Sequence, residues 1–255
     1  NMLVEMLRFE IAQETQEHWL QCESASWKPF LQGQDGYVYH ELWQDPTEVA
    51  SVICWRNSED LARVHEKTQK IAEVEEHFAQ VFSQYGDEYD LSNHIKAVGE
   101  YELLTEHAHL HPDDLAHAAA YCCPISPGAL LAQERQEQSS VGVVEFLRFR
   151  VPVAQQDAWV CAEKEVWKPF LLEQPGYISH ELWTDRSAGE IFSIIRWKTR
   201  ADLDAVHERQ ATDPKEAEFK QAFHEICGEQ YDLESALLEA KEYALWTAAG
   251  AHRPF

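Results

Sequence analysis

The chain has 255 residues, 45% hydrophobic and 26% charged, a globular composition with length for two ordinary domains, each able to bury a core. Its 45 acidic and 21 basic residues give a net charge of −24, which repels phosphate backbones and anionic lipid and argues against nucleic acid or a membrane surface as partner. No run approaches the roughly 20 apolar residues of a membrane span, and the opening Asn1-Met2-Leu3-Val4 lacks the basic flank and apolar core of a signal peptide.

The first predicted element is a strand over Val4–Phe9, a short alternating apolar run. Thr15–Trp27 places Trp19, Cys22, Ser26 and Trp27 near one helical face, and Pro29 should limit that helix. Gly36 opens a second strand, Tyr37–Trp43, rich in aromatic residues. The turn signal Asp45-Pro46 leads to a third strand, Ala50–Arg56. Ser58, with Leu61, Val64 and His65, begins an amphipathic helix that resumes after Thr68 and carries Phe78 and Phe82. Val98–Leu104 makes a fourth strand. The next stretch holds Pro112, Pro124, Pro127 and Gly128 between the helix-compatible segments Asp113–Tyr121 and Ala129–Glu137, and reads as a partly helical connector. The same order then recurs as Val144–Phe149, Gln155–Trp167, Tyr177–Trp183, Ile191–Trp197, Ala201–Phe223 and Lys241–Trp246.

The recurrence is a duplication. Residues 4–43 and 144–183 align without a gap, with 13 identities in the first 28 positions and 7 in the next 12. The offset of 140 becomes 142 after a two-residue insertion near Ser187-Ala188-Gly189. The expected domains are a first repeat over 1–105, the connector over 106–143 and a second repeat over 144–255. Each repeat reads β-α-β-β-α-β, the ferredoxin-like order, so the fold class is α+β. One sheet face is covered by its helices. The other faces of the two sheets can cover each other, giving an intramolecular dimeric α/β barrel. The chain is then a monomer with an internal pseudo-dimer, or a homodimer.

Two diverged copies also sort candidate residues, because a side chain kept in both has survived two histories. Of the six cysteines (Cys22, Cys54, Cys122, Cys123, Cys161 and Cys227) none is matched, so no disulfide framework was duplicated, and adjacent Cys122 and Cys123 lack zinc-ligand spacing. Reduced thiols and a cytoplasmic location are expected. Eight of nine tryptophans pair up: Trp19/Trp159, Trp27/Trp167, Trp43/Trp183 and Trp55/Trp197. The first two pairs suit a helix–sheet core. Trp43, Trp55, Trp183 and Trp197, at the ends of adjacent strands, are candidates to line a barrel mouth with Tyr37, Tyr39 and Tyr177, a flat wall for a flat aromatic substrate.

Of 13 histidines only His40/His180 and His65/His207 recur, each followed by a glutamate. Strand alternation puts Val38, His40 and Leu42 on one face and Tyr37, Tyr39, Glu41 and Trp43 on the other. Either the histidine sits in the helix-facing core beside a barrel-lining glutamate, or the reverse. The aromatic company favours Glu41 and Glu181 inward, where desolvation would raise their pKa and let them exchange protons near neutral pH. The competing reading pairs Glu41 with Arg8 or Arg56. His65 and His207 follow Leu61 and Leu203 by one turn and should lie on the packed side of their helix, as buried neutral imidazoles, as general bases at a pocket edge, or as metal or haem ligands.

Arg8 and Arg148, inside the first strand of each repeat, need an anionic partner, either a protein glutamate or a substrate carboxylate. Glu23/Glu163 lies on the margin of the first helix's apolar face, and Lys28/Lys168 should be exposed. No matched set has recognisable metal-ligand spacing, so no metal is expected. The run His107-Ala108-His109-Leu110-His111 has no counterpart in the second copy and reads as exposed. There is no Gly-rich phosphate loop, Gly-x-Ser-x-Gly elbow or Cys-x-x-Cys pair, which argues against nucleotide-dependent and serine-nucleophile chemistry.

The pattern Trp55…Leu61…His65…Phe78, repeated as Trp197…Leu203…His207…Phe219, resembles the dimeric α/β barrel superfamily, and within it the antibiotic-biosynthesis-monooxygenase-like domains, including uncharacterised cyanobacterial members. The resemblance covers both copies but not the connector. It implies the barrel fold; for activity it implies less, since the superfamily hosts oxygenases, cyclases, isomerases, haem enzymes and proteins with no known reaction. The resulting expectation is a small-molecule enzyme of secondary metabolism without an organic cofactor, cyclising or oxidising an aromatic or polyketide-like substrate. Glu41/Glu181, with His40/His180 and His65/His207, would move protons, and Arg8/Arg148 with the aromatic wall would bind substrate. The alternatives are a haem- or metal-dependent enzyme using a matched histidine, and a non-catalytic ligand-binding or stress-response barrel. Tyr39/Ser179 and Cys54/Arg196 break the symmetry, so the two half-sites are unequal.

Overall fold

In the computed structural model, described over residues 1–84, 94–104, 142–228 and 233–246, the elements follow the order read from the sequence. The first repeat contains β1 (Leu3–Phe9), α1 (Gln13–Gln32), β2 (Tyr37–Gln44), β3 (Val49–Trp55), α2 (Ser58–His65), α3 (Thr68–Ser83) and β4 (Ile95–Leu103). The second contains β5 (Val143–Arg150), α4 (Val153–Ala162), a π-helical turn (Glu163–Trp167), α5 (Lys168–Leu172), β6 (Tyr177–Asp185), β7 (Glu190–Trp197), α6 (Arg200–Gln210), α7 (Lys215–Cys227), the short α8 (Leu233–Ala236) and β8 (Leu237–Trp246). Nearly all of the connector, with its two helix-compatible stretches and with His107, His109 and His111, lies outside the described residues.

The chain divides into two compact units. In the first, β1 pairs antiparallel with both β3 and β4, and β2 with β3, the β4-β1-β3-β2 order of a ferredoxin-like sheet. In the second, β7 pairs antiparallel with β5 and β6, in the order β8-β5-β7-β6. The units differ from the sequence repeats at two strand ends. Ala244, Leu245 and Trp246 belong to the first unit, where they pair with Gln44, Trp43 and Leu42. Leu103 and Leu104 belong to the second, where the Leu104 N–H donates to the Leu182 carbonyl at 2.9 Å.

Two helix expectations are corrected. α1 does not stop at Pro29 but runs through it to Gln32. Burial of Leu31 against Ile53 and Trp55 outweighs the backbone hydrogen bond that proline cannot donate. In the second repeat the chain passes the matched Pro169 after the π-turn Glu163–Trp167, a wider turn that relieves the clash between a proline ring and the preceding turn. The single helix expected over 201–223 is broken between Gln210 and Lys215, because Pro214 disfavours helical geometry at Asp213.

The helix-facing side of each sheet is an aromatic core. In the first unit Trp19 stacks obliquely on Phe9 at 4.7 Å and meets Phe78 edge-on at 5.5 Å; in the second Trp159 repeats this with Phe149 at 4.8 Å and Phe219 at 5.8 Å. Such rings bury roughly 150–250 Å² each and dominate the packing energy. A shared turn sets the entry to β2 and β6. Gly36 and Gly176 have φ of +82° and +78°, and a Cβ at either would lie 2.1 Å from Asp60 or Asp202. Only glycine fits there.

Candidate functional site

The candidate side chains of each repeat divide between the two faces of its sheet. A β-bulge at Val38 shifts the register between Tyr37 and Tyr39, so Tyr37 pairs with Trp55 while Tyr39 pairs with Cys54. Tyr37 therefore sits on the helix-facing side, edge-on to Trp55 at 6.3 Å, and not beside Glu41 as simple alternation suggests. Trp55 is fully buried among Leu31, Ile53, Leu61 and Val64, under the helices. Trp197 and Tyr177 repeat the arrangement, with ring centroids 6.0 Å apart. These two tryptophans fill the core and do not line a mouth.

His40 also faces the helices, where it meets a buried polar cluster. Its Nε2 lies 2.8 Å from Ser51 Oγ and 3.7 Å from Glu23 Oε1, and the Ser51 hydroxyl donates to Glu23 Oε1 at 3.3 Å. In the second repeat His180 Nε2 lies 2.8 Å from Ser193 Oγ and 3.8 Å from Glu163 Oε2. Burial drives the Glu23 carboxyl up to about 8, partly opposed by the Ser51 hydrogen bond, and drives His40 down to about 3, helped by Lys28. Glu163 is likewise pushed up to about 8 by burial. At neutral pH the first cluster is thus a neutral acid, a hydroxyl and a neutral imidazole, which costs far less to bury than an ion pair. Sequence reasoning missed Ser51 and Ser193. Their signal was a hydroxyl at the same place in the third strand of both repeats.

Glu41 and Trp43 lie on the other face, both buried, with the Trp43 indole N–H donating to Glu41 Oε2 at 2.8 Å. Glu181 and Trp183 repeat the bond at 2.9 Å. The expected partners of Glu41 are engaged elsewhere. Arg8 binds the fully buried Glu48 through Nε at 3.0 Å and Nη2 at 2.8 Å, and Lys96 reaches the other oxygen of Glu48 at 2.9 Å. Arg56 pairs with Asp60. Arg148 pairs with Glu190 at 3.1 Å and with Glu239 at 3.6 Å. The anion required by Arg8 and Arg148 is therefore a protein glutamate.

The asymmetric positions fall on this same face. Arg196, 1% exposed where the first repeat has Cys54, places Nη1 3.3 Å from Glu181 Oε1 and 3.4 Å from Ser179 Oγ. Further along the same face Phe146 and Phe192 have ring centroids 5.8 Å apart, with Tyr243 at 6.2 Å from Phe146 and Trp183 at 6.4 Å from Phe192. The matched positions in the first repeat are smaller: Met6, Ala50 and Val52 stand where the second has Phe146, Phe192 and Ile194.

His65 and His207 lie at the rim of the helix side and are half-exposed, not packed inward. His65 Nε2 is 3.1 Å from Glu5 Oε2, and His207 Nε2 is 3.0 Å from Glu145 Oε2. Burial raises the Glu5 carboxyl and nearby Glu100 adds to this, while His65 opposes it; the hydrogen bond to Glu145 raises the His207 pKa. Glu5 and Glu145 were matched in the sequence but not singled out. The structure therefore brings Glu41 together with Trp43, and Glu181 with Trp183 and Arg196, but separates both from His40, His65 and their counterparts. Nε2 of each of these four histidines is engaged, by a serine at the buried His40 and His180 and by a glutamate at the half-exposed His65 and His207. Among the described residues no three His, Cys, Asp or Glu side chains are grouped as a metal site, and no helix is long and apolar enough to cross a membrane.

No family model and no curated protein matches this chain. Solved structures match it in fold. A proposed monooxygenase from Lactobacillus acidophilus NCFM superposes with a TM-score of 0.53 at 9% identity, covering 96% of this chain and 93% of that one. An anthrone oxidase-like protein does so with 0.53 at 14% identity, covering 96% and 92%. A proposed monooxygenase from Fusobacterium nucleatum gives 0.52 at 8% identity, covering 96% and 91%. Identities this low speak for the fold alone. At that level the resemblance read from the sequence is borne out: this chain has the α+β, ferredoxin-like architecture of those monooxygenase-like proteins.

Proposed function

We propose that this chain is a small-molecule enzyme of the oxygenase type, acting in secondary metabolism on an aromatic or polyketide-like substrate without an organic cofactor. The observation that carries this reading is the buried carboxylate–indole pair, Glu41–Trp43 and Glu181–Trp183, kept in both repeats with bonds of 2.8 and 2.9 Å. Burying a carboxylate costs several kcal/mol. Two diverged copies have each retained that cost on the sheet face away from the helices. A carboxylate so placed can take a proton from a carbon activated by a neighbouring carbonyl and aromatic rings. The enolate formed is rich enough in electrons to reduce O2. The carbon becomes a carbonyl, one oxygen atom stays on it and the other leaves as water. Without O2, the same enolate can attack a carbonyl within the substrate and close a ring.

The name of the anthrone oxidase-like neighbour suggests the first substrate to assay. Anthrone in aerated buffer, followed by oxygen consumption and quinone absorbance, tests the reading on the wild-type chain, Glu41→Gln and Glu181→Gln. We expect at least one variant to lose about 100-fold in kcat, the usual size of a general-base contribution, with folding intact by circular dichroism. Wild-type turnover in both variants would sink the carboxylate assignment.

A further inference from the structure

We infer that Arg196 is the anion-binding group of this site, and that the second repeat's sheet face is where an enolisable aromatic ketone or a phenol is held. The inference rests on the acid–base reading above and deepens it by naming the half-site, the substrate class and a residue that a search for matched positions passes over.

Four observations support it. First, Arg196 is 1% exposed. A guanidinium is costly to bury and is kept only with an anion beside it. Second, its Nη1 contacts Glu181 Oε1 at 3.3 Å and Ser179 Oγ at 3.4 Å, so a base, a cation and a hydroxyl converge on one spot. Cys54, Glu41 and Tyr39 occupy those places in the first repeat, and a cysteine has no charge to contribute. Third, the same face carries the aromatic group Phe146, Phe192, Trp183 and Tyr243, buried apolar rings that exclude water and so strengthen charge interactions beside them. Fourth, Ser179 is half-buried where Tyr39 is 5% exposed, so the side chain guarding this end of the face is smaller and more open to solvent in the second repeat.

The charges balance through the step. Before it, Arg196 neutralises the Glu181 carboxylate. Glu181 then takes the proton from the substrate carbon, the C–H electron pair moves into the C–C bond, and the carbonyl π pair moves onto oxygen. The negative charge leaves the carboxylate and appears on the enolate oxygen, a few ångströms away and still against the same guanidinium. A cation that serves both the base and the developing oxyanion needs no reorganisation when the proton moves. A phenol bound there loses its proton to the same arrangement, which makes it a probe that does not depend on turnover.

The test uses the full chain with a hydroxynaphthalene, whose neutral and ionised forms differ in absorbance. On the wild-type chain the bound naphthol should ionise at a pH lower by about one unit or more than the free naphthol, because a nearby cation favours the charged form. Arg196→Cys, the residue of the first repeat, should abolish the shift, and Arg196→Lys should keep part of it. No binding, an unshifted or raised ionisation on the wild-type chain, or a shift that survives in Arg196→Cys would overturn the inference. If Arg196→Cys fails to fold, the wild-type titration and Arg196→Lys still decide. Anthrone turnover separates the two readings. Loss of activity in Glu181→Gln with an unshifted naphthol leaves the acid–base enzyme standing and removes Arg196 from it. A shifted naphthol with full turnover in both carboxylate variants keeps the anion site and removes the acid–base reaction.

Discussion

Glu23 should make the stability of this protein fall as pH rises through neutrality, and Glu23→Gln should remove that fall. In the folded chain burial holds the Glu23 carboxyl at about 8, against an ordinary value of 4.5. Between those values the folded state keeps a proton that the unfolded chain has released. Stability from this group is therefore fully present below 4.5 and is lost by 8, at about 1.4 kcal/mol per pH unit and up to about 5 kcal/mol in total. His40 works the other way. Burial lowers it from 6.5 to about 3, so its contribution grows as pH rises to 6.5 and is constant above. The two slopes nearly cancel from 4.5 to 6.5, which leaves a net loss of about 2 kcal/mol between 6.5 and 8 from this pair. Glutamine has the shape of the protonated acid and cannot ionise. Urea unfolding at pH 5, 6, 7 and 8 should therefore show the variant matching the wild type at pH 5 and exceeding it increasingly toward pH 8. Stability curves that stay parallel across that range would refute a buried, protonated Glu23.

Ser193→Ala should cost about 1–3 kcal/mol, because it takes a hydroxyl partner from buried His180; chemical denaturation measures it. Gly36→Ala should cost about 2–4 kcal/mol through left-handed backbone strain and displacement of Asp60, read as a drop in melting temperature. Glu48→Gln strips the anion from Arg8 and Lys96 and should destabilise by about 3 kcal/mol, less at high salt since Lys96 is half-exposed. Trp55→Ala should cost about 3–5 kcal/mol in stability. Any activity of the folded Trp55→Ala fraction should be unchanged, since that ring packs under the helices.

The fold was legible because its signals are local. Strand alternation, the Gly36 turn and the Leu61–Val64 face each appear within a few residues, and the duplication states them twice. What was not legible depends on counting across an irregularity. The bulge at Val38 carries no glycine to announce it, yet it moves Tyr37 to the helix side and takes Trp55 away from any mouth. Proline was over-read at Pro29, where packing of Leu31 prevails, and under-read at Pro214, where no such packing holds the helix together. The parity of His40 and Glu41 was read as the structure places it, because beyond the bulge the alternation is regular.

The duplication that organises the fold is a poorer guide to chemistry than it first suggests. Both copies must fold, so positions kept in both are first those that folding requires: Gly36 with Asp60, His40 with Ser51 and Glu23, and an arginine in the first strand paired with a glutamate. Each recurs because removing one partner strands another in a place with no water. A reaction needs only one competent half. Once one half-site suffices, the other is free to diverge, and the residues that make the difference are then unmatched by necessity. Arg196 and Ser179, and not the tryptophan and histidine pairs, are such residues. There a buried charge sits where its counterpart is a cysteine, and a small, half-buried hydroxyl sits where its counterpart is a buried tyrosine.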